Sequence, residues 1–489
     1  MTSRLFNIHV VLCAFMLVNC LPVQAAPWLA PGDEALRSDV LRLADAGIIH
    51  GPVTTWPLSW PDIARDDMAH SGANLDDGTA AALVRVRRFA SEAAHWGFAG
   101  SGIRAGISHE PSTLRGFGDM PREEGELSVR AGWMGTRFAA HIETTVVADA
   151  DDGKQWRMDG SYVGVNVGNF MISAGLMERW WGPGWEGSLI LSTNARPVPS
   201  FTIERNYTDP FKSPWLSWLG PWRASIAVGE AEDHGVDVPG VKFLAARVNF
   251  RPKPWFEVGL TRTAQWCGGD RKCDWDTFAR LVLGRDNRGD NLQSDDEPGN
   301  QMAGYDIRLR SPWRRLPVAV YAQWIGEDEA GGLPSKFLGQ FGLESWSYGA
   351  MGSWRFRGEF ADTTCSFTRE RPQYGCAYRN GLYPQGYTYR GRVMGHSMDN
   401  DSRMYSIAAL FIRENGDALA LTVRRVELNR DGGSHAISTM PADLDDVELR
   451  ASREFRAGKL RFGLGYENIR ETTNSGSGLR AFLNWQQGY

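Results

Sequence analysis

The sequence predicts a transmembrane antiparallel β-barrel with a small α-helical bundle at its N-terminus. Three observations predict this fold: an export signal, alternation of apolar and polar residues from about residue 100 onward, and no downstream helical pattern that could cover the apolar faces. In water, so many half-apolar strands would expose a very large apolar surface. A closed barrel resolves this, because its apolar side chains face lipid and its polar side chains face the lumen.

The first 25 residues predict a secretory signal peptide. They carry one positive charge at Arg4, an apolar stretch from Val10 to Val18, and small residues at Ala25 and Ala26. No later stretch approaches the roughly 20 apolar residues of a spanning helix. The net charge of -5 gives no reason to expect a nucleic-acid partner. The mature chain is therefore predicted to leave the cytoplasm.

Residues 26–100 predict a periplasmic helical bundle of three segments. "DEALRSDVLRLADAGIIHG" places Leu36, Val40 and Leu43 on one stripe, and "SWPDIARDDMAH" has Pro61 at a first helical position. "DDGTAAALVRVRRFASEAAHWGF" begins after an aspartate pair. Alone, so small a unit would bury only a modest core.

Residues 101–489 predict the barrel. In "RFAAHIETTVVAD" Phe138, Ile142 and Val146 share one face, opposite a polar one. In "LALTVRRVELN" the alternation slips between Val423 and Val426, which indicates a bulge or a strand end. The last strand, "AFLNWQQGY", ends in an aromatic residue, which we interpret as a signal to the barrel-assembly machinery. At about 20 residues per strand and connection, the region predicts roughly 16 to 20 strands, an even number.

Four cysteines remain once the signal peptide is removed. Cys267 with Cys273, and Cys365 with Cys376, form two local pairs in polar connections of an exported chain, which predicts disulfides. No histidine lies near either pair and no C-x-x-C spacing occurs, so we expect no metal site. Residues 284–301 and "TCSFTRERPQYGCAYRNGLYPQG" are too long and polar for periplasmic turns, and they predict outer loops.

The stretch "RWWGPGWEGS", residues 179–188, is the strongest candidate for a binding segment. Its G-x-G-x-x-G spacing lacks the strand and helix of a nucleotide-binding turn, so we expect no cofactor. Its tryptophans fit a membrane girdle, lumen packing, or a platform for a flat ligand such as a pyranose ring, whose hydroxyls need polar partners. The candidate glycan-binding residues are Glu178, Arg179, Trp180, Trp181, Trp185, Glu186 and Asn194.

The helical opening "LADAGIIHGPVTTWPLSW" and the stretch "ERWWGPGWEGSLILSTNARPVPSFTIER" resemble the Wzi family of outer-membrane capsule-assembly proteins. The resemblance covers nearly the whole mature chain. It implies a barrel of about 18 strands with the helical bundle at its periplasmic end, and a lectin that holds capsular or extracellular polysaccharide on the cell surface. It offers no catalytic motif to transfer. We therefore expect a monomeric, non-enzymatic outer-membrane protein in contact with lipid.

Two other functions stay open, a sugar-specific porin and an outer-membrane hydrolase. Polar lumen faces favour the porin. For a hydrolase, "GHSMDNDSR" offers an acid–base set, but neighbouring His396 and Ser397 would point to opposite faces of a strand. Paired carboxylates that could suit glycoside hydrolysis occur at Asp295 with Asp296 and at Asp445 with Asp446.

Overall fold

The computed structural model describes nine stretches of the chain, residues 27–68, 75–93, 97–231, 238–269, 271–282, 299–313, 315–330, 333–471 and 475–487. The predicted signal peptide, residues 284–298 of one predicted outer loop with Asp295 and Asp296, and the terminal Tyr489 lie outside the described residues.

Eighteen strands in the described part of the chain form one closed antiparallel barrel, in which each strand pairs with its neighbours in the chain and the last pairs with the first. The predicted fold class is therefore confirmed. In chain order, the strands β1 to β18 are Gly97–His109, Gly125–Met134, Phe138–Ala148, Tyr162–Val167, Phe170–Gly175, Ser200–Arg205, Trp222–Glu230, Lys242–Lys253, Phe256–Trp266, Gly299–Arg310, Val318–Ala330, Leu333–Gly349, Gly352–Asp362, Arg403–Ile412, Ala418–Leu428, Ala442–Phe455, Gly458–Glu471 and Ser475–Gln487.

The outer face of the wall is apolar and the inner face is polar. Phe138 and Ile142 of β3 point outward with 58% and 54% of their surface exposed, as the alternation predicts. Phe356 of β13 is also exposed, whereas Arg355 and Arg357 on the same strand are buried against the contents of the lumen. An apolar belt of this kind is suited to hydrocarbon, and the buried polar face requires partners inside the barrel.

The predicted bulge between Val423 and Val426 is wrong. Strand β15 pairs with both neighbours without a register shift. Arg424 points into the lumen, Arg425 points outward, and Val426 points inward into an apolar cluster that contains Leu114. The alternation slips because the inner side of the wall changes from polar to apolar packing toward one end of the strand.

The two ends of the barrel differ in the length of their connections. At the end where β1 begins and β18 ends, here called the terminal end, most connections are short, such as residues 168–169 and 254–255. At the opposite end, here called the loop end, long connections span residues 110–124, 149–161, 176–199, 267–298 and 363–402. In outer-membrane barrels the short turns are periplasmic and the long loops are extracellular.

Both predicted disulfides are confirmed at the loop end. Cys267 and Cys273 have Cα atoms 4.9 Å apart, and those of Cys365 and Cys376 are 5.9 Å apart.

The described residues also form several short elements. Four are short β-ladders: Trp28–Leu29 with Leu58–Ser59, Thr55–Trp56 with Trp180–Trp181, Thr388–Tyr389 with Arg392–Val393, and Trp156–Arg157 beside β3. Two are helical, a 3-10 turn at Ser217–Leu219 and a helix at Trp275–Val282.

Three N-terminal helices precede the barrel, as the sequence predicts. They are α1, Glu34–Asp45, α2, Trp60–Met68, and α3, Asp77–Ala93. None of the helices in the described stretches is long and apolar enough to cross a membrane. The first barrel strand begins at Gly97 rather than at residue 101.

Helix α1 lies inside the barrel and is held there by wall side chains. Asp45 pairs with Arg308 of β10 at 2.6 Å, and Glu34 pairs with Arg450 of β16 at 2.9 Å. Arg355 of β13 donates to the Ser38 hydroxyl at 2.8 Å. Together with residues 110–124 and 176–199, α1 fills the lumen, and these three segments are here called the plug.

Asp33 caps α1, and its surroundings predict that the plug becomes less stable at low pH. Its Oδ1 accepts the backbone N–H of Leu36 at 3.0 Å, and Oδ2 pairs with Lys459 of β17. Burial raises the pKa of Asp33, but Lys459 and Arg461 outweigh it and lower the pKa from 3.8 to about 2. A depressed pKa stabilises the fold above the unfolded value, and this stabilisation is lost as the pH falls through the folded one.

We therefore expect Asp33 to contribute about 2 kcal/mol to the free energy of unfolding near pH 5 and almost nothing near pH 1.5. The measurement is the urea midpoint at both pH values, followed by heat-modifiable gel mobility, for the wild type and for Asp33→Asn. Since other carboxylates also titrate, the informative quantity is the difference between the two proteins. A difference that does not change with pH would contradict the assignment.

Candidate functional site

The predicted tryptophan segment lies in the middle of the plug. Trp180, Trp181 and Trp185 are each exposed by 1% or less. Trp180 and Trp181 pair with the short strand Thr55–Trp56, which precedes α2. Of the three placements that the sequence leaves open, the structure therefore shows lumen packing.

Phe117 and Arg37 fill the space between the tryptophan rings. The Phe117 ring meets Trp180 edge-on, with ring centres 5.3 Å apart. The Arg37 guanidinium lies 4.2 Å from the ring centres of both Phe117 and Trp185, a cation–π geometry. Burial lowers the pKa of Arg37 to about 9. The aromatic faces are thus occupied by an arginine of α1.

Glu186 is the acidic centre of the plug. It is 3% exposed, lies 2.7 Å from Arg424 of β15 and 3.5 Å from Arg357 of β13. Burial raises the pKa of Glu186, but the guanidinium groups of Arg424, Arg357 and Arg450 outweigh burial and lower the pKa below its ordinary value of 4.5. The carboxylate therefore ties the plug to two strands of the wall.

The remaining predicted site residues also contact protein groups. Glu178 pairs with Arg122 at 3.1 Å, and Arg179 donates to the hydroxyl of Thr202 at 2.6 Å. The Asn194 amide donates to the main-chain carbonyl of Val393 at 2.9 Å. The structure thus brings all seven candidates into one plug segment, and sugar contact by them stays a prediction.

The glycine pattern of the segment serves close packing. A side chain at Gly187 would collide with the ring of His396, and one at Gly184 would collide with Gln340 of the wall. Both positions allow the segment to lie directly against its neighbours. This agrees with the sequence-based rejection of a nucleotide-binding turn.

The histidine–serine set of the hydrolase alternative is buried. His396 is fully buried and burial lowers its pKa to about 4. A second histidine, His435, has Nε2 3.1 Å from the Ser402 hydroxyl, but its Nδ1 accepts the N–H of Ile437 at 3.1 Å. In the neutral ring the proton then sits on Nε2, so His435 is not oriented to accept a proton from Ser402.

The described aspartate pair does not form a joint acid–base site. On β16, Asp446 points into the lumen and pairs with Arg424 and Arg480, whereas Asp445 points outward and lies 2.6 Å from Arg470. Within the described residues no group of three or more His, Cys, Asp or Glu side chains is arranged to hold a metal ion.

The loop end carries an exposed polar surface above the plug. Part of it belongs to the connection 363–402, whose Cys365–Cys376 disulfide closes a loop with exposed Arg369, Arg371 and Tyr374. These three residues are here called the cap surface. The backbone N–H of Gly375 donates to Asp401 at 2.8 Å, which fixes the loop. The predicted outer loop contains these three residues, whereas the seven candidates predicted from the sequence lie in or beside the tryptophan-rich segment, which the structure buries.

A cavity of about 320 Å³ lies between the plug and the wall. Its lining combines aromatic side chains, Trp28, Trp60 and Tyr162 among them, with arginines and carboxylates of β1, β2, β3 and the connection 110–124. Gln486, near the end of β18, also lines it, so the cavity reaches toward the terminal end. Of the seven site residues predicted from the sequence, Glu178 alone is part of this lining.

Comparisons with known proteins agree with the architecture. The family model described as capsule assembly protein Wzi matches residues 97–477. The "Uncharacterized 55.8 kDa protein in cps region" of Klebsiella pneumoniae is 29% identical over 474 residues, which cover 95% of this chain and 91% of that protein. The solved structure of Wzi from Escherichia coli is 26% identical, has a TM-score of 0.83, and covers 95% of this chain and 100% of that chain. That protein is described as an outer membrane protein involved in group 1 capsule assembly and as a carbohydrate-binding β-barrel.

Proposed function

The chain belongs to the Wzi family of capsule assembly proteins, and we propose that it binds and anchors capsular or extracellular polysaccharide at the cell surface. It is an outer-membrane β-barrel. The observation that supports the proposal most directly is the similarity, over 95% of the chain, to a carbohydrate-binding barrel of the same family.

We place the polymer on the cap surface. Arg369 and Arg371 offer charged donors to sugar hydroxyls and acidic groups. Tyr374 is 37% exposed and has the Arg430 guanidinium 5.7 Å from its ring centre, and the rest of its aromatic surface is offered to a pyranose ring. The disulfide holds these side chains on a preformed loop, which reduces the entropy lost on binding. A long repetitive polymer can meet many such surfaces on one cell, so weak individual contacts suffice for retention.

We also propose that the protein holds the polymer without cleaving it and acts as a monomer. The described histidines near serine hydroxyls are buried or have the wrong hydrogen-bond pattern for a base, which supports a non-catalytic role. A porin is the second candidate, and the 320 Å³ cavity favours it. The plug stands against it, because α1 and residues 176–199 occupy the lumen in the described chain.

The test replaces Arg369, Arg371 and Tyr374 together with alanine and measures labelled polysaccharide retained by cells. We expect retention to fall by about tenfold, equivalent to about 1.4 kcal/mol. The matched control replaces two exposed cations and one exposed tryptophan at the terminal end, Lys253, Arg315 and Trp313, and should leave retention unchanged.

Both variants must show normal heat-modifiable gel mobility. Unchanged retention in the cap variant would remove the cap surface from the site, and a wild type that retains no polymer would refute the function itself. Release of reducing ends would indicate a hydrolase, and conductance steps in a planar bilayer would indicate a porin.

A further inference from the structure

Arg115 is a buried cation for which the described protein provides no carboxylate partner. It is 5% exposed and lines the 320 Å³ cavity. Its two terminal nitrogens donate to the main-chain oxygens of Pro121 and Met120, at 3.1 and 2.8 Å, and its Nε has no hydrogen-bond partner. Burial, with Arg122 and Arg392 nearby, lowers the pKa of Arg115 to about 9. A buried charge in this state is costly unless something neutralises it.

The acidic residues around the cavity are engaged elsewhere. Asp119 lies 2.9 Å from Arg104 and 3.8 Å from Arg461. Glu178 pairs with Arg122, and Glu126 accepts the backbone N–H of the same arginine at 2.6 Å. The local arrangement around Arg115 therefore suits an anion that is not part of the described protein.

The other side of the cavity suits the body of a sugar. Trp28, Trp60 and Tyr162 contribute aromatic surface, which packs well against the apolar face of a pyranose. His141 and Glu143 of β3 line the same space and offer polar contacts. A volume near 320 Å³ lies in the range of sites for small ligands.

We propose that this cavity binds an acidic sugar unit, a hexuronate, and that Arg115 holds its carboxylate. Arg115 lines the cavity, and a guanidinium can meet a carboxylate through directed, charge-assisted hydrogen bonds. The inference rests on the proposed function, since it makes the uronate one unit of an acidic polysaccharide. It adds a second sugar site, in the cavity between the plug and the wall, whose lining does not include the cap surface.

The experiment compares galacturonate with galactose, which shares its ring and lacks the carboxylate. Full-length mature protein in detergent is titrated with each sugar, and binding is followed by saturation-transfer NMR. We expect galacturonate to bind with an affinity at least about tenfold above that of galactose, equivalent to about 1.4 kcal/mol. Arg115→Gln should weaken galacturonate binding by about tenfold, and Arg115→Lys should weaken it less because the charge remains.

Arg65→Gln is the matched control, because Arg65 of α2 pairs with Asp62 and Asp209 and does not line the cavity. It should bind galacturonate normally, and all variants should keep heat-modifiable mobility. Equal binding of galactose, displacement of galacturonate by an equal concentration of inorganic phosphate, or unchanged binding in Arg115→Gln would each overturn the proposal. Polysaccharide retention is measured in parallel: if retention persists while galacturonate fails to bind, only this inference falls, and if the wild type retains nothing, the proposed function falls.

Discussion

Replacing Glu186 with alanine is expected to lower the free energy of unfolding by about 3–5 kcal/mol, the cost of breaking a buried ion pair by removing one partner. The guanidinium groups of Arg424 and Arg357, both 1% exposed as side chains, would lose their shared carboxylate. Arg424 would keep Asp446 and Glu448. The plug would nevertheless lose the ion pairs that Glu186 makes with two strands of the wall.

The urea midpoint of the folded, heat-modifiable form measures this effect. Glu186→Gln keeps the shape of the side chain and some of its hydrogen bonds, so it should lower the free energy of unfolding less than Glu186→Ala does. Asp445→Ala is the control, because its partner Arg470 is 43% exposed as a side chain and such pairs contribute about 1 kcal/mol or less. If Glu186→Ala costs no more than Asp445→Ala, the ion pairs of the plug do not stabilise it.

Replacing Trp185 with alanine is expected to lower the free energy of unfolding by about 3–5 kcal/mol, because removing a fully buried ring leaves a cavity. The ring also receives the guanidinium groups of Arg37 at 4.2 Å and Arg357 at 4.3 Å. Trp185→Phe should cost less, since it keeps an aromatic face for both. Heat-modifiable mobility in a urea series measures stability for both variants.

The same pair of variants tests whether the tryptophan segment contacts sugar. We expect Trp185→Phe to retain polysaccharide normally, because in this structure the ring is 1% exposed and contacts only the plug and the wall. Loss of retention in a stable Trp185→Phe protein would instead assign the segment to the glycan site. The result therefore separates a packing role from a binding role for the residues that the sequence singled out.

The wall of the barrel was predictable because the direction of a strand side chain is a local property. Phe138 and Ile142 point outward in the structure as their spacing requires. The contents of the lumen were not predictable in this way. Glu186 and Arg424 are 238 residues apart in the chain, and nothing local to either residue identifies its partner.

The candidate site likewise combines features that are local in the sequence with contacts that only the fold creates. Composition revealed that Trp180, Trp181 and Trp185 were unusual, but a dense aromatic segment packs a lumen as well as it binds a sugar. Arg115 is a single arginine in a loop, and only the folded chain shows that it lacks a carboxylate partner. Conversely, the two disulfides were predictable because each pair lies close in sequence.

The presence of α1 inside the wall has a consequence for biogenesis. The helix precedes β1 in the chain, and its charged side chains engage strands as late as β16, through Glu34 and Arg450. The hydrogen-bonded seam between β18 and β1 is therefore expected to close last, around a helix already in place. Helix α1 would then set the circumference at which the barrel closes. Deleting it is therefore expected to give a barrel that closes incorrectly, and not a correctly closed barrel with an open lumen.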